Sequence, residues 1–193
     1  MKKILIFASG SGTNAQNIIE YFNKSVEKKV SLVFSNKKDA KVIDRVKKLG
    51  VDTVVFTRED LYHNNKVIEI LENEQPDLIV LAGFLWLVPS SIIKKFPNKI
   101  VNIHPALLPK YGGKGMYGMH VHKAVLDNRE AESGITIHFV NEEYDAGDII
   151  FQATCPVEED DTPDLLAQRI HSLEHENFPK VIEKVLDGET NFT

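Results

Sequence analysis

A carboxamide and an imidazole lie two residues apart in the stretch VNIHPALLP, where Asn102 and His104 precede Pro105. Side chains at positions i and i+2 of a strand emerge on the same face of a sheet. An imidazole can give or take a proton near neutral pH, and an amide can donate a hydrogen bond to a developing oxyanion. The spacing is therefore consistent with acid–base and oxyanion chemistry, and equally with a hydrogen-bonded structural pair.

A glycine-rich loop, FASGSGTN, follows the first apolar run and leads into a helical pattern. Glycines let a ligand approach the backbone closely, and free amides at a helix N-terminus attract phosphate. The loop fits a loose dinucleotide fingerprint, but the second strand ends FSNKK, without the acid that holds a ribose hydroxyl. The pattern favours a phosphate monoester over NAD. NADP stays open through Lys37 and Lys38, and so does a plain tight turn.

Two carboxylates complete the set of candidate residues. Asp145 lies in the turn YDAG, where Asp and Gly are ordinary turn residues. The functional alternative is that Asp145 is a carboxylate partner for His104. Glu174 falls between Ile170 and Phe178 on the apolar stripe of the last helical pattern. A carboxylate buried there needs a cation or hydrogen-bond donors. A ligand amine and a lysine of the chain are the two candidates for that partner.

Apolar runs that alternate with helical patterns predict the elements that would position these residues. The predicted strands are Ile4–Phe7, Val30–Phe34, Thr53–Phe56, Leu78–Ala82, Ile100–Ile103, Gly134–Val140 and Asp148–Pro156. The predicted helices are Ala15–Phe22, Ala40–Leu49, Asn65–Glu74, Pro89–Lys95, His120–Leu126 and a closing helix from Pro163, capped by Thr162. This pattern is typical of an α/β fold: an open, mostly parallel twisted sheet with helices on both faces and an antiparallel hairpin near the C-terminus.

Composition narrows the classes of protein further. With 193 residues, 42% of them hydrophobic, the chain can form one compact domain, predicted over residues 1–193. A net charge of -5, with both signs interspersed, argues against a nucleic-acid partner. The single cysteine, Cys155, and the lack of an apolar run of ~20 residues predict a cytoplasmic protein without membrane contact. His120 and His122 would splay apart on a helix, so no metal site is predicted.

Taken in order, the segments ASGSGTN, FSNKKDA, PDLIVLAGF, VNIHPALLPKYGG, TIHFVNEEYDAGDII and LEHENFP resemble the phosphoribosylglycinamide formyltransferase family. The resemblance implies a Rossmann-like formyltransferase fold. It also implies transfer of a formyl group from 10-formyltetrahydrofolate, the co-substrate, to the amine of 5'-phosphoribosylglycinamide in de novo purine biosynthesis. The products would be formylglycinamide ribonucleotide and tetrahydrofolate. No metal is required, and a monomer or a homodimer is expected.

The resemblance also assigns roles to individual residues. The catalytic positions of the family fall on Asn102, His104 and Asp145, with the carboxylate raising the pKa of the imidazole. The nucleotide substrate would be bound by Gly12, Thr13, Asn14, His171, Ser172, Leu173 and Glu174. The folate would be bound by Leu85, Trp86, Leu87, Val88, Asn102, Asn141, Glu142, Glu143, Tyr144 and Asp145.

Two features depart from the pattern of that family. The segment Gly112–Met119 is longer than usual, and Trp86 stands where many relatives carry a basic residue. Other formyl-group enzymes, methionyl-tRNA formyltransferase and formyltetrahydrofolate deformylase, are the nearest alternatives, and each normally carries an additional domain. A nucleotide-binding regulatory module that keeps the fold without chemistry is an alternative from a different class.

Overall fold

The computed structural model describes residues 1–189, which form two compact units, 1–101 and 102 onward. The prediction of one domain over 1–193 stays a prediction, and its last four residues lie outside the described ones. In chain order the elements are β1 (Lys2–Ala8), α1 (Thr13–Phe22), β2 (Lys28–Ser35), α2 (Lys41–Lys47), β3 (Asp52–Val55), α3 (Arg58–Tyr62), α4 (Lys66–Glu74), β4 (Leu78–Leu81), α5 (Ser90–Lys95), β5 (Ile100–His104), α6 (Met119–Asp127), β6 (Glu132–Phe139), β7 (Ile149–Pro156) and α7 (Pro163–Asp187).

Parallel strands form the sheet of the first unit, in the order β3-β2-β1-β4. β1 pairs in parallel with β2 and with β4, and β2 pairs in parallel with β3. Buried apolar side chains fill β1 from Ile4 to Ala8 and all of β4, as expected for central parallel strands that are covered on both faces. Phe7 and Phe34 stack across β1 and β2 with ring centroids 4.6 Å apart.

The second unit begins at Asn102 of β5, and its strand order is β5-β6-β7. β6 and β7 are antiparallel and form the predicted hairpin. α7 begins as predicted: the Thr162 side chain accepts a hydrogen bond from the Leu165 amide, and Pro163 follows the cap. Its buried stripe contains Ile170, Glu174 and Phe178. The predicted fold class, a mostly parallel α/β sheet with a C-terminal antiparallel hairpin, is confirmed.

The sequence prediction missed one helix, α3. Its N-terminus is a complete capping box, in which the Thr57 hydroxyl accepts from the Asp60 amide and the Asp60 carboxylate accepts from the Thr57 amide. The spacing Thr-x-x-Asp carries that signal in the sequence. The helix has five residues, too few to show an apolar period. Within residues 1–189, no helix is both long enough and apolar enough to span a membrane.

Gly134 allows β6 and β7 to pack closely, because a Cβ atom at this position would collide with the Ala153 carbonyl oxygen and lie 2.7 Å from Leu107 Cδ2. We predict that Gly134→Ala lowers the free energy of unfolding by about 1–3 kcal/mol, the usual range for overpacking. Urea unfolding followed by circular dichroism measures the change.

Ser133→Ala is the matched control on the same strand. The Ser133 hydroxyl is buried and has no hydrogen-bond partner among residues 1–189, so its removal leaves no partner group unsatisfied. We expect this variant to be as stable as the wild type to within about 0.5 kcal/mol. Equal stability of Gly134→Ala would contradict the packing argument.

Candidate active site

The structure brings Asp145 next to Asn102 and His104, although 43 residues separate Asp145 from Asn102. Asn102 and His104 end β5, and Asp145 lies in the loop between β6 and β7. Asn102 Nδ2 donates to Asp145 Oδ1 at 3.3 Å, and His104 Nδ1 lies 3.5 Å from Asp145 Oδ2. The amide and the imidazole therefore face the same carboxylate, as their spacing on a strand predicts.

The tautomer of His104 follows from its backbone partner. Its Nε2 lies 2.8 Å from the Tyr111 carbonyl oxygen, which can only accept a hydrogen bond. Nε2 must therefore carry the hydrogen, and in the neutral ring Nδ1 is the unprotonated nitrogen that faces Asp145 Oδ2. Protonation of Nδ1 would convert this contact between two acceptors into an ion pair.

Burial decides the resting charge of His104. The side chain is 3% exposed, and loss of solvation lowers the pKa of the imidazole. The Asp145 carboxylate and the Tyr111 carbonyl act in the opposite direction, but they do not restore the ordinary value. The sequence expectation that Asp145 raises this pKa agrees with the sign of the pair interaction, but burial outweighs that interaction. His104 rests as a neutral imidazole at neutral pH.

His138 completes the group, although the sequence did not single it out. Its Nδ1 lies 2.8 Å from the Phe139 carbonyl oxygen and so carries the hydrogen, which leaves Nε2 as an acceptor. Nε2 lies 3.1 Å from Asn102 Nδ2. The two amide hydrogens of Asn102 are thus shared between His138 and Asp145, and this fixes which end of the amide is nitrogen.

Asp145 is held as a carboxylate. Burial by itself raises its pKa, but the His138 and His104 imidazoles, which attract the carboxylate when they carry a proton, and a hydrogen bond from the Gly113 amide outweigh burial and hold the pKa below its usual value. The Gly113 N to Asp145 Oδ2 distance is 3.0 Å. A buried negative charge beside a neutral imidazole therefore characterises this group of residues.

A second set of hydrogen bonds fixes the segment that follows His104. The Thr136 hydroxyl donates to the Ala106 carbonyl at 2.7 Å and accepts from the Leu108 amide at 3.0 Å. The Gln152 amide donates to both the Leu108 carbonyl and the Thr136 hydroxyl, at 3.1 and 2.9 Å. The β6–β7 hairpin thereby anchors the backbone immediately after His104.

Backbone geometry also presents Asp145. Its φ of 53° lies in the left-handed region, which Asp tolerates better than most residues. Gly147 follows where a Cβ atom would collide with the Phe139 carbonyl oxygen. The pair Asp-x-Gly is thus required by the turn and supplies the carboxylate at the same time.

Glu174 is 6% exposed on α7, and His171 Nδ1 lies 3.1 Å from Glu174 Oε2. The hydrogen bond to Glu174 raises the pKa of His171. A histidine is therefore one partner of this carboxylate, beside the ligand amine and the lysine that the sequence suggested. Ser172 is exposed and donates to the Gln168 carbonyl, and Leu173 is half-buried.

In the first unit, the glycine-rich loop ends at Gly12, the N-cap of α1, with φ 75° and no side-chain cap. The first-turn amides of α1 begin at Thr13 and Asn14. A Cβ atom on Gly12 would lie 2.7 Å from Val42 Cα, so α2 packs directly against the loop. Arg45 of α2 donates from Nε to the Ser11 carbonyl at 2.9 Å. The sequence prediction did not include Arg45.

The segment Leu85–Val88 also lies in the first unit. The Leu87 carbonyl accepts from the Tyr62 hydroxyl at 2.9 Å, and the Arg58 guanidinium lies 4.8 Å from the centroid of the Trp86 ring. A cation stacked on an indole is held electrostatically. Arg58 thus places a positive charge beside the position where relatives were expected to carry one.

The other segment predicted to bind folate, Asn141–Tyr144, lies in the second unit, between β6 and β7. The Asn141 side chain accepts from the Glu143 amide at 3.0 Å, and Tyr144 is 37% exposed. In the described part of the chain, no cluster of three or more His, Cys, Asp or Glu side chains is arranged to hold a metal ion.

Comparison with known proteins identifies the family. Residues 2–182 match the formyl transferase family. A chloroplastic phosphoribosylglycinamide formyltransferase of Arabidopsis thaliana is 40% identical over 192 residues, which cover 96% of this chain and 66% of that protein. The phosphoribosylglycinamide formyltransferase of Escherichia coli is 35% identical, covering 96% of this chain and 87% of that protein.

A solved structure agrees with these sequence relatives. Glycinamide ribonucleotide transformylase 1 from Symbiobacterium toebii superposes with a TM-score of 0.89 at 34% identity, covering 97% of this chain and 89% of that chain. This chain spans 66% and 61% of the lengths of two plant relatives. The extent of the family match, together with the fold, shows that this chain belongs to the formyl transferase family.

Proposed function

We propose that this protein transfers the formyl group of 10-formyltetrahydrofolate to the amine of 5'-phosphoribosylglycinamide. The observation that carries the proposal is that Asn102 and His104 both contact the carboxylate of Asp145. Relatives that share most of this chain are named for the same reaction. Hydrolysis of the folate, and nucleotide binding without chemistry, are the alternatives that the assay below separates.

The reaction requires a proton to move as one bond replaces another. The amine nitrogen attacks the formyl carbon, a carbon–nitrogen bond forms, and the carbonyl electron pair moves to oxygen. When the intermediate collapses, the bond from carbon to N10 of the folate breaks. N10 leaves as an amine that needs a proton, and the attacking nitrogen has one to lose.

His104 is suited to carry that proton because it rests neutral. Its free lone pair is on Nδ1, so Nδ1 accepts the proton from the attacking amine and later returns it to N10. While the ring is charged, the Asp145 carboxylate at 3.5 Å stabilises it as an ion pair. This role refines the sequence expectation, in which Asp145 raises the pKa of His104.

Asn102 can stabilise the charge that develops on the formyl oxygen. Of its two shared hydrogens, the one bonded to Asp145 at 3.3 Å is held more loosely than the one shared with His138 at 3.1 Å. We therefore assign the looser N–H to the formyl oxygen.

Binding roles are assigned unit by unit. In the first unit, Gly12, Thr13 and Asn14 would bind the phosphate, because they form the N-terminus of α1, where the helix dipole favours an anion, and α2 supplies Arg45 close by. In the second unit, His171 to Glu174 would bind the glycinamide end of the nucleotide. The folate contacts of Leu85–Val88 and Asn141–Asp145, a cytoplasmic location, and a monomer or homodimer stay predictions.

The first test of the proposed function compares a variant that removes the imidazole with one that removes only the negative charge of the carboxylate. We predict that His104→Ala and Asp145→Asn each lower kcat by at least a hundredfold, the usual contribution of a positioned acid–base group. Formation of the deformylated folate is followed spectrophotometrically with and without the nucleotide. Circular dichroism verifies that both variants fold.

The matched control is Asp148→Asn, which removes an exposed carboxylate from the same loop. We expect its rate to remain within about twofold of the wild-type rate, because exposed charges act weakly at a distance. Wild-type rates in His104→Ala would exclude the proposed role. Folate consumption that does not depend on the nucleotide would indicate hydrolysis instead.

The glycine loop generates a separate prediction. Gly12→Ala adds a side chain at φ 75° and against Val42, so the loop cannot keep its conformation without strain of about 1–3 kcal/mol. We predict roughly a tenfold to hundredfold loss of nucleotide affinity, measured by calorimetry, with folate affinity unchanged. Gly10→Ala is the control, because a Cβ atom there has no described atom within 4 Å. Equal losses for both ligands would contradict the assignment.

A further inference from the structure

Tyr111 holds the backbone carbonyl that fixes the catalytic imidazole. It adopts φ 57°, in the left-handed region that a bulky residue rarely occupies, and its carbonyl oxygen lies 2.8 Å from His104 Nε2. The acceptor in this contact is a main-chain carbonyl. The contact therefore depends on the backbone conformation of Tyr111 and not on the side chain of a flanking residue. The conformation of one residue therefore decides whether Nε2 has its partner.

A side-chain hydrogen bond secures that conformation. The Tyr111 hydroxyl donates to Glu130 Oε1 at 2.8 Å. Glu130 follows α6, where its own amide donates to the Val125 carbonyl at 3.3 Å. Lys110 donates to both Glu130 oxygens, at 3.0 and 3.1 Å, and these contacts hold the pKa of Glu130 below its usual value. An ionised carboxylate thus anchors the ring of Tyr111 from a different element.

We propose that Tyr111, held by Glu130, is a positioning residue that makes Nδ1 of His104 the nitrogen that exchanges the proton. With Nε2–H bound to the carbonyl, the only free lone pair of the neutral ring faces Asp145 Oδ2 at 3.5 Å. A proton taken by Nδ1 from the attacking amine then lies against a carboxylate, and it is returned from the same nitrogen to N10 of the folate. The proton transfer in this proposal rests on the proposed function.

If the hydrogen bond between Tyr111 and Glu130 were absent, the Tyr111 ring would lose its side-chain anchor while Lys110 kept its own bond to Glu130, and the Tyr111 carbonyl could turn away from Nε2. The neutral imidazole could then place its hydrogen on Nδ1, where Asp145 would accept it. That tautomer has no lone pair on Nδ1, so the amine proton could not be taken by the nitrogen beside the carboxylate. Tyr111 therefore acts through its effect on His104.

Imidazole ¹⁵N NMR of the full chain tests the positioning directly. The chain has seven histidines, and the His104 signals are assigned by their loss in His104→Gln. We expect wild-type His104 above its pKa to show the Nε2–H tautomer. Tyr111→Phe removes only the hydroxyl and should shift the ring toward Nδ1–H. A wild-type ring already in the Nδ1–H form, or an unchanged tautomer in the variant, would overturn the proposal.

Steady-state kinetics supplies the second readout. Tyr111→Phe should lower kcat on the order of tenfold, as expected for a misaligned catalytic group, while KM for both substrates stays within about twofold. Glu130→Ala should act through the same hydrogen bond. The variant that combines Tyr111→Phe and Glu130→Ala should therefore have a kcat no lower than that of either single variant. Glu130→Gln keeps an acceptor for the hydroxyl and should restore most of the rate. Additive losses, or no rescue, would count against the proposal.

Lys110→Gln is the matched control. It removes the other partner of Glu130 from the neighbouring residue, yet leaves the hydroxyl of Tyr111 bonded. We expect a wild-type tautomer and a rate within about twofold of wild type, because an exposed ion pair contributes little. If the wild type transfers no formyl group at all, the proposed function fails, while the NMR result still decides whether Tyr111 fixes the tautomer.

Discussion

The second unit of this protein is organised around the retention of one negative charge at a largely buried position. Asp145 is ionised although burial opposes ionisation, because the Gly113 amide, the Asn102 amide and two imidazoles surround it. These four groups come from three parts of the unit: the end of β5, the segment after it, and β6. Loss of the carboxylate would therefore leave four groups without their common partner. The charge orders the site before any substrate is considered.

The fold was predictable because its signals are local. Continuous apolar runs such as Ile4–Phe7 and Leu78–Ala82 mark parallel strands, and Thr162 with Pro163 marks the start of the last helix. The same reading placed Asn102 and His104 on one face of β5, since that follows from a period of two. The five-residue α3 was missed because it is too short to show a period, and only its capping spacing reveals it.

The chemistry of the site was less predictable, since it depends on contacts across long stretches of chain. Asp145 is 43 residues from Asn102, and only the resemblance to a known family linked the two. The Tyr111 carbonyl has no sequence signal at all, because every residue carries a carbonyl and its direction depends on φ and ψ. The pKa of His104 needed the buried fraction as well as the partner, and burial reversed the direction that the partner alone suggested.

Burial and pairing act on His104 in opposite directions, and the balance between them suits a transient proton. A strongly raised pKa would keep the ring protonated and without a lone pair, so it could not accept the proton of an attacking amine. With the carboxylate alone removed, burial would lower the pKa further against the Tyr111 carbonyl, and the charged ring would be harder to form. A neutral imidazole next to a fixed anion avoids both extremes: the ring is ready to accept a proton, and its counter-ion is already in place. The carbonyl of Tyr111 decides which nitrogen reacts: because it holds Nε2–H, Nδ1 beside the Asp145 carboxylate is the nitrogen that can accept the proton.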